Sequence, residues 1–413
     1  MRCKPAGMTI SSDSVMGGAR HMDIVVAGMH VRWQGVWQRP HHILSRLSNR
    51  VPVVVLEEPV AASSNVELVT KHGEVTIVTP RRRAELDNVV DKASIRTIRS
   101  IVGDRQALVW LYTPMMIELT SCFVEAPVVF DKMDDLSAFQ GADPLMEANE
   151  KDLVDMADFV FAGGRSLYRG ISGRARASAC YPSGVDADHF ARAFSERPHR
   201  RLAAFADRTV YGYIGVIDER VDLELIAAIA DRFPAAVIAM VGPVTKISLD
   251  ALPRRPNIVY LGRAEYHELP SYLAGFDVAL MPFALNRHTA SISPTKTLEY
   301  LAAGRPVVST AIDDVIADFS GVVRIARTQD EFLETLKTQS SLAPTRLSGA
   351  NEKINAASWD AIVQRMLADL ARNEIALNDF SSFRTKQAAN VVMLADAGAR
   401  HLNASEVYDS GVR

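Results

Sequence analysis

The chain has 413 residues, room for two or three domains at ~150 residues each, with 48% apolar and 23% charged residues. A formal charge of −3 gives no global case for binding nucleic acid, and no apolar run approaches the ~20 residues that a membrane span needs. Cys3, Cys122 and Cys180 are odd in number and far apart, fitting neither a disulfide framework nor metal-ligand spacing, so a reducing cytoplasm is expected.

Residues 1–21 mix Gly, Ser, Arg and Met without periodicity and read as a disordered leader. Asp23–Ala27 is the first expected strand. The loop after it carries two indoles, Trp33 and Trp37, around Gly35. Flat indoles stack on sugar rings or lie at a membrane interface, and packing under the next helix is the competing account. That helix is expected over Arg39–Leu47, with Ile43, Leu44 and Leu47 inward. His41 and His42 lack a carboxylate at ligand spacing, so no metal site is expected. Short β-rich runs follow at 52–57, 75–78, 107–112 and 127–130. Arg81, Arg82, Arg83, Lys92, Arg96 and Arg99 form a basic stretch that either meets anionic lipid or is a solvated face, since Asp87 and Asp91 interrupt it.

An acidic cluster, Asp131, Asp134 and Asp135, ends an apolar strand. A carboxylate facing a cleft there could act as a general base, with Asp134 or Asp135 preferred and Asp131 third; helix capping is the alternative. Gly163 and Gly164 let the backbone turn close to a cleft or simply pack tightly. Runs at 159–162 and 177–181 close a first alternating half. Pro182-Ser183-Gly184 reads as a turn with Gly184 available for positive φ, and 195–201 as a polar linker broken by Pro198.

The alternation restarts at Val210–Gly215 and continues through 223–233, 236–241, 258–261, 278–281 and 307–310. Strands alternating with helices predict parallel sheets with helices on both faces. After the first of these strands, Gly215 permits close backbone approach and Arg220 offers a fork of donors, either to phosphate or to Asp222 or Glu224. The loop 284–293 is polar, and Arg287 or His288 in it could meet an anion. Between Ser291 and Thr310 a loop feeds a helix, stopped by Gly304. Ser291 and Thr295 precede its start, Lys296 adds a cation, and Glu299 can accept from vicinal hydroxyls: phosphate and ribose recognition from one helix. Residues 358–370 form a capped amphipathic helix. The segment after Asn378 reads equally as helix or tail.

Lys296, Glu299 and Ala303-Gly304-Arg305-Pro306-Val307-Val308 resemble the donor-binding helix of GT-B-fold bacterial glycosyltransferases, glycosyl transferases group 1-like, of the envelope or exopolysaccharide type. The first Glu of the family's Glu-x7-Glu falls on Ser291. Trp37-Gln38-Arg39-Pro40 and Tyr181–Phe190 resemble further stretches of the same enzymes. The resemblance implies an α/β fold of two Rossmann-like domains facing a central cleft. Its division is a 1–21 leader, a 22–200 acceptor domain, a 201–357 donor domain, a 358–378 helix crossing back, and a 379–413 tail.

It implies hexosyl transfer from a nucleotide diphosphate sugar, UDP rather than GDP, to a hydroxyl acceptor in cell-surface polysaccharide or glycolipid biosynthesis. Donor residues would be Gly215, Arg220, Arg263, Ala264, Ser291, Thr295, Lys296 and Glu299, with backbone at Arg263 and Ala264 meeting the nucleobase. Trp33, Gly35 and Trp37 would face a glycan or lipid-linked acceptor, and Asp134 or Asp135 would be catalytic. No cofactor or metal is expected. The expected location is cytoplasmic, peripheral on the inner membrane face, and the oligomeric state stays open. The rival readings are a nucleotide-sugar 2-epimerase of the same fold and a non-catalytic nucleotide- or sugar-binding module.

Overall fold

The computed structural model describes residues 19–83, 89–139, 141–286, 289, 292, 294–339 and 348–379. After a short strand β1 (Arg20–Met22), the first sheet is built from β2 (Ile24–Met29), β3 (Val53–Glu57), β4 (Val60–Ala61), β5 (Val66–His72), β6 (Val75–Arg82), β7 (Ala107–Leu111), β8 (Val128–Lys132), β9 (Phe159–Ala162) and β10 (Ser178–Cys180). Its order is β10-β9-β8-β7-β2-β3-β6-β4, and β5 joins β6 as its one antiparallel pair among the described residues. Residues of β2 alternate between two cores: Val25, Ala27 and Met29 face one, Ile24 and Val26 the other. A strand buried on both faces needs an unbroken apolar run, which Ile24–Met29 and Val53–Leu56 supply.

The second sheet holds β11 (Val210–Ile214), β12 (Val237–Val241), β13 (Ile258–Gly262), β14 (Val278–Met281), β15 (Val307–Thr310) and β16 (Arg324–Ala326), all parallel, in the order β13-β12-β11-β14-β15-β16. Both sheets therefore reverse direction beside their first long strand, between β2 and β7 and between β11 and β14. Ligands of open parallel sheets bind outside the carboxyl ends of strands at such reversals. The strands expected from sequence are present to within a residue or two at most ends, while β4, β5 and β16 have no long apolar run to announce them.

Two chain crossings join the halves, and they touch. At the outgoing crossing Val185 bridges to Ser358 at the return. A Cβ on Gly184 would lie 2.8 Å from the Ala357 carbonyl oxygen and from Trp359 and Ile362, so this glycine serves close approach rather than the expected positive φ. Ser358 caps the returning helix Trp359–Arg372 by accepting from Ala361 N at 3.2 Å. Trp359, Ile362, Met366 and Leu370 of that helix belong to the core of the first sheet, with Val25 and Ala27. The segment 195–201 is more than a polar linker: helix Arg200–Ala203 begins within it, and the His199 ring stacks on Tyr272 at 4.0 Å.

The leader expected over 1–21 ends earlier. β1 pairs in parallel with β17 (Ile375–Leu377), Arg20 opposite Ile375 and Met22 opposite Leu377, which ties both ends of the described chain together. Residues 1–18 and 380–413 lie outside the described residues.

Candidate active site

One cavity of about 160 Å³ is lined from both halves, by Trp37 and Asp134 on one side and Gly215, Arg220, Lys296 and Glu299 on the other. A larger neighbour of about 340 Å³ shares Trp37, Gly215 and Lys296 with it and extends to Trp33, Gly35, Arg263 and Ala264. Most of the residues singled out in the sequence thus converge, and Asp131 is not among those lining either cavity. Asp135 lines neither cavity, and Ser291, like Arg287 and His288, lies outside the described residues.

The donor-side wall is built at strand ends. Gly215 follows β11 and donates its N–H to Val241 O at 2.9 Å, and Gly242 at the end of β12 donates to Gly262 O at 2.8 Å. Gly242 has φ +147, and a Cβ there would stand 1.8 Å from the Gly215 carbonyl oxygen. Only glycine lets these two loops touch, which opens the backbone at the carboxyl edge of the sheet. Arg220 projects from the same loop. Its guanidinium pairs with Asp218, Nε to Oδ1 at 3.0 Å and Nη2 to Oδ2 at 2.7 Å, so the expected partners Asp222 and Glu224 do not hold it. Asp222 instead caps the helix Leu223–Arg232 through Leu225 N at 2.8 Å. Asp218 is 2% exposed in its side chain and Arg220 24%, so the pair presents its cationic edge to the cavity.

Lys296 and Glu299 sit on the helix Lys296–Ala302 and bond to each other, Nζ to Oε2 at 2.7 Å. Thr295 precedes the helix with helical backbone and makes no side-chain cap, so its hydroxyl stays uncommitted by the helix. Arg263 lines the larger cavity together with Ala264, and its side chain has a further contact. Its guanidinium crosses to the first half and donates to Gln34 O at 3.0 Å, tying the two walls together.

The three aspartates of the acidic cluster have three different fates. Asp131, at 0% exposure, accepts from Arg39 Nε at 2.9 Å and is a structural ion, since Arg39 also donates to Tyr181 O at 2.6 Å. Asp135 accepts from Ser137 Oγ at 2.9 Å and stands at the start of the short helix Leu136–Ala138, but its side chain makes no capping bond to a helix N–H, so the capping alternative does not account for it. Asp134 reaches the cavity. Desolvation raises its carboxyl above the ordinary value of 3.8, the nearby Asp218 and Asp135 add to this, and Arg220 and Lys246 oppose it. A carboxylate so placed and so shifted has the character of a general base.

The indole loop is consumed more by packing than expected. Trp33 is 7% exposed, its backbone N–H donates to Glu57 Oε1 at 2.6 Å, and its ring belongs to the first-half core. Gly35 closes a tight turn by donating to Arg32 O at 2.8 Å. Trp37 remains half-buried at the cavity, stacked on His41 at 4.8 Å and donating from Nε1 to His42 Nδ1 at 3.3 Å. His42 stacks in turn on Trp359 at 4.7 Å, and burial lowers the basicity of both histidines, so they act as neutral aromatic struts. In the basic stretch, Arg82 is buried and paired with Glu67 and Asp91, which removes it from any lipid-facing role.

Three residues escape sequence reasoning. Phe139 lies beneath two cations of the other half, Arg220 at 5.3 Å and Lys246 at 4.0 Å from its ring centre. His30, directly after β2, has a buried Nδ1 without a partner. No motif marks any of them; only the approach of the two halves does.

Residues 210–338 match the family described as glycosyl transferases group 1. This segment is a glycosyl transferases group 1 domain. A stretch of the chain is 27% identical over 230 residues to a Bacillus subtilis (strain 168) protein whose name describes a teichuronic acid biosynthesis glycosyltransferase, TuaH. That match covers 52% of this chain and 57% of the relative's own length. Among solved structures, a sucrose-phosphate synthase from Thermosynechococcus elongatus aligns at TM-score 0.62 and 14% identity, covering 86% of this chain and 98% of that one. An alpha,alpha-trehalose-phosphate synthase (UDP-forming) from Burkholderia vietnamiensis aligns at 0.61 and 14%, covering 86% and 99%. The fold is GT-B, two Rossmann-like sheets facing one cleft, and the group 1 domain is its second half.

Proposed function

We propose that this protein is a glycosyltransferase that moves a hexose-type sugar from a nucleoside diphosphate sugar, UDP rather than GDP, to a hydroxyl acceptor of a cell-surface glycan or glycolipid. The observation that carries the reading is the meeting of Arg220, Lys296 and Glu299 from the group 1 domain with Asp134 from the other half around one cavity. A UDP-forming enzyme among the solved structures of this fold supports the choice of nucleotide. The name of the Bacillus relative supports a polysaccharide product.

In this mechanism the donor diphosphate lies against the open backbone at Gly215 and between Arg220 and Lys296. Glu299, freed in part from Lys296, accepts from the ribose hydroxyls, and the backbone at Ala264 borders the base. Asp134 takes the proton of the acceptor hydroxyl as its oxygen bonds to the anomeric carbon. The bond from that carbon to the diphosphate oxygen breaks, and the leaving charge falls on the two cations. Attack opposite the leaving group inverts the anomeric configuration. The two cations supply the neutralising charge, so transfer should survive chelation of divalent metal. Among the described residues no helix is long and apolar enough to cross a membrane.

The test is a thermal-shift comparison of UDP, GDP and their sugars, followed by analysis of the product anomer with EDTA present. Stabilisation by UDP and UDP-sugars with an inverted product supports the reading. Stabilisation by GDP alone overturns the nucleotide, and a retained anomer overturns the role of Asp134. Donor consumption that yields only an epimerised nucleotide sugar would make the chain an epimerase.

A further inference from the structure

A second cavity, of about 700 Å³, opens on the other side of Phe139 and shares no residue with the donor cavities. That volume lies within the range of built small-molecule sites. Its walls combine apolar side chains, Met115 and Met146 among them, with His30, Glu58, Arg83 and Lys246. The Phe139 ring forms the partition. Lys246 stands 4.0 Å over it, while Arg220, a cation of the donor cavity, stands 5.3 Å from it. The two spaces therefore meet at one aromatic ring, next to Asp134, whose carboxyl feels both Arg220 and Lys246.

Two features of this cavity call for a ligand. The buried Nδ1 of His30 has no partner, and buried polar atoms in native proteins nearly always have one. Burial and the neighbouring Lys246 lower the pKa of this imidazole to about 4, outweighing a hydrogen bond between the ring and the Tyr112 backbone. Lys246 itself adopts φ +60, a backbone conformation uncommon for a non-glycine residue, and projects from the group 1 domain onto a ring of the other half. The Glu58 carboxyl on the same wall is pushed up by burial, with Arg32 opposing the shift.

We propose that this cavity binds the acceptor as a glycosyl unit bearing a carboxylate or phosphate, with Lys246 pairing the anion and His30 Nδ1 hydrogen-bonded to a sugar hydroxyl. The proposal rests on the glycosyltransferase reading and names the acceptor class for it. It moves the acceptor away from Trp33 and Gly35, which pack and turn, to the far side of Phe139. Lys246 then sets specificity by reading the charge of the incoming sugar.

The experiment is calorimetric titration of the full chain, saturated with UDP, using para-nitrophenyl glucuronide, glucose 6-phosphate and the uncharged para-nitrophenyl glucoside. The charged sugars should bind about 10-fold or more tighter than the glucoside, the scale of a charge-assisted hydrogen bond. Lys246→Met should bring all three within about twofold, Lys246→Arg should restore the preference, and affinity for UDP should stay unchanged in both. His30→Leu should weaken all three sugars alike. A preference for glucuronide over glucose 6-phosphate assigns the carboxylate, and the reverse assigns the phosphate. Equal binding of charged and neutral sugars overturns the proposal. So does a Lys246→Met protein that loses UDP instead of the charged sugar, which would place Lys246 on the donor. Wild-type protein that binds the charged sugars but not UDP overturns the donor reading and leaves the pocket standing.

Discussion

The loops that follow the first long strand of each half, after β2 and after β11, occupy the same topological place and do opposite things. After β11, glycines expose backbone and Arg220 keeps its cationic edge on the cavity, with a buried Asp218 behind it. After β2, the polar groups turn inward. Arg32 pairs with Glu57 at 3.3 Å, Trp33 bonds to the same carboxylate, and His41 Nε2 meets Arg32 O at 3.0 Å. One loop turns charge toward a cavity and the other spends it on holding aromatic rings in place. A shared topology therefore locates the cleft but does not assign the chemistry on either side of it.

The largest test of this contrast lies three residues apart in the first half. Asp134→Asn should lower transfer by about a hundredfold or more while leaving affinity for UDP within about twofold, because it removes a base and no donor contact. The acid limb of wild-type kcat/KM should lie above the ordinary carboxylate value of 3.8, since desolvation raises this group, and should vanish in the variant. The folded chain holds this proton more tightly than the unfolded one. The carboxylate therefore costs stability once the pH exceeds its unfolded value, and Asp134→Asn should be at least as stable as wild type at pH 7. A less stable variant with normal turnover would assign Asp134 to structure.

Asp131→Asn should behave in the opposite way. It leaves Arg39 charged, buried and without its carboxylate, which costs about 3–5 kcal/mol in denaturant unfolding. A shift under about 1 kcal/mol would show that the Tyr181 carbonyl alone satisfies Arg39. On the donor side, Arg220→Ala should reduce UDP affinity by about 10- to 100-fold, the loss of a charged hydrogen bond, and should also lower the unfolding midpoint, because it leaves the buried Asp218 carboxylate unpaired. Unchanged affinity by calorimetry would make the Asp218 pair purely structural. The smallest effect is expected at Trp37→Phe, which loses the bond to His42 and should cost about 0.5–1.5 kcal/mol of stability. A loss of acceptor binding without loss of stability would instead return this indole to the acceptor.

Much of the fold was legible because its strands are buried on both faces and so had to be written as apolar runs. The glycine stop at Gly304 was equally legible, since a left-handed turn restricts residue type locally. The three aspartates could not be ranked that way. Their sequence context is alike, and the difference lies in what arrives from elsewhere: Arg39 at Asp131, Ser137 at Asp135, and Arg220 with Lys246 near Asp134. The β1–β17 pair was hidden too, because three-residue strands from opposite ends of the chain leave no periodicity.

By itself, then, the amino-acid sequence determined two alternating αβ halves and a donor-side helix with its cation and carboxylate, because backbone geometry and burial act on near neighbours. The tertiary structure alone decided which aspartate faces the cleft, which carboxylate holds Arg220, and that Phe139 lies under Arg220 and Lys246. Those outcomes depend on desolvation and charge between groups that only the docking of the two halves brings within a few ångströms.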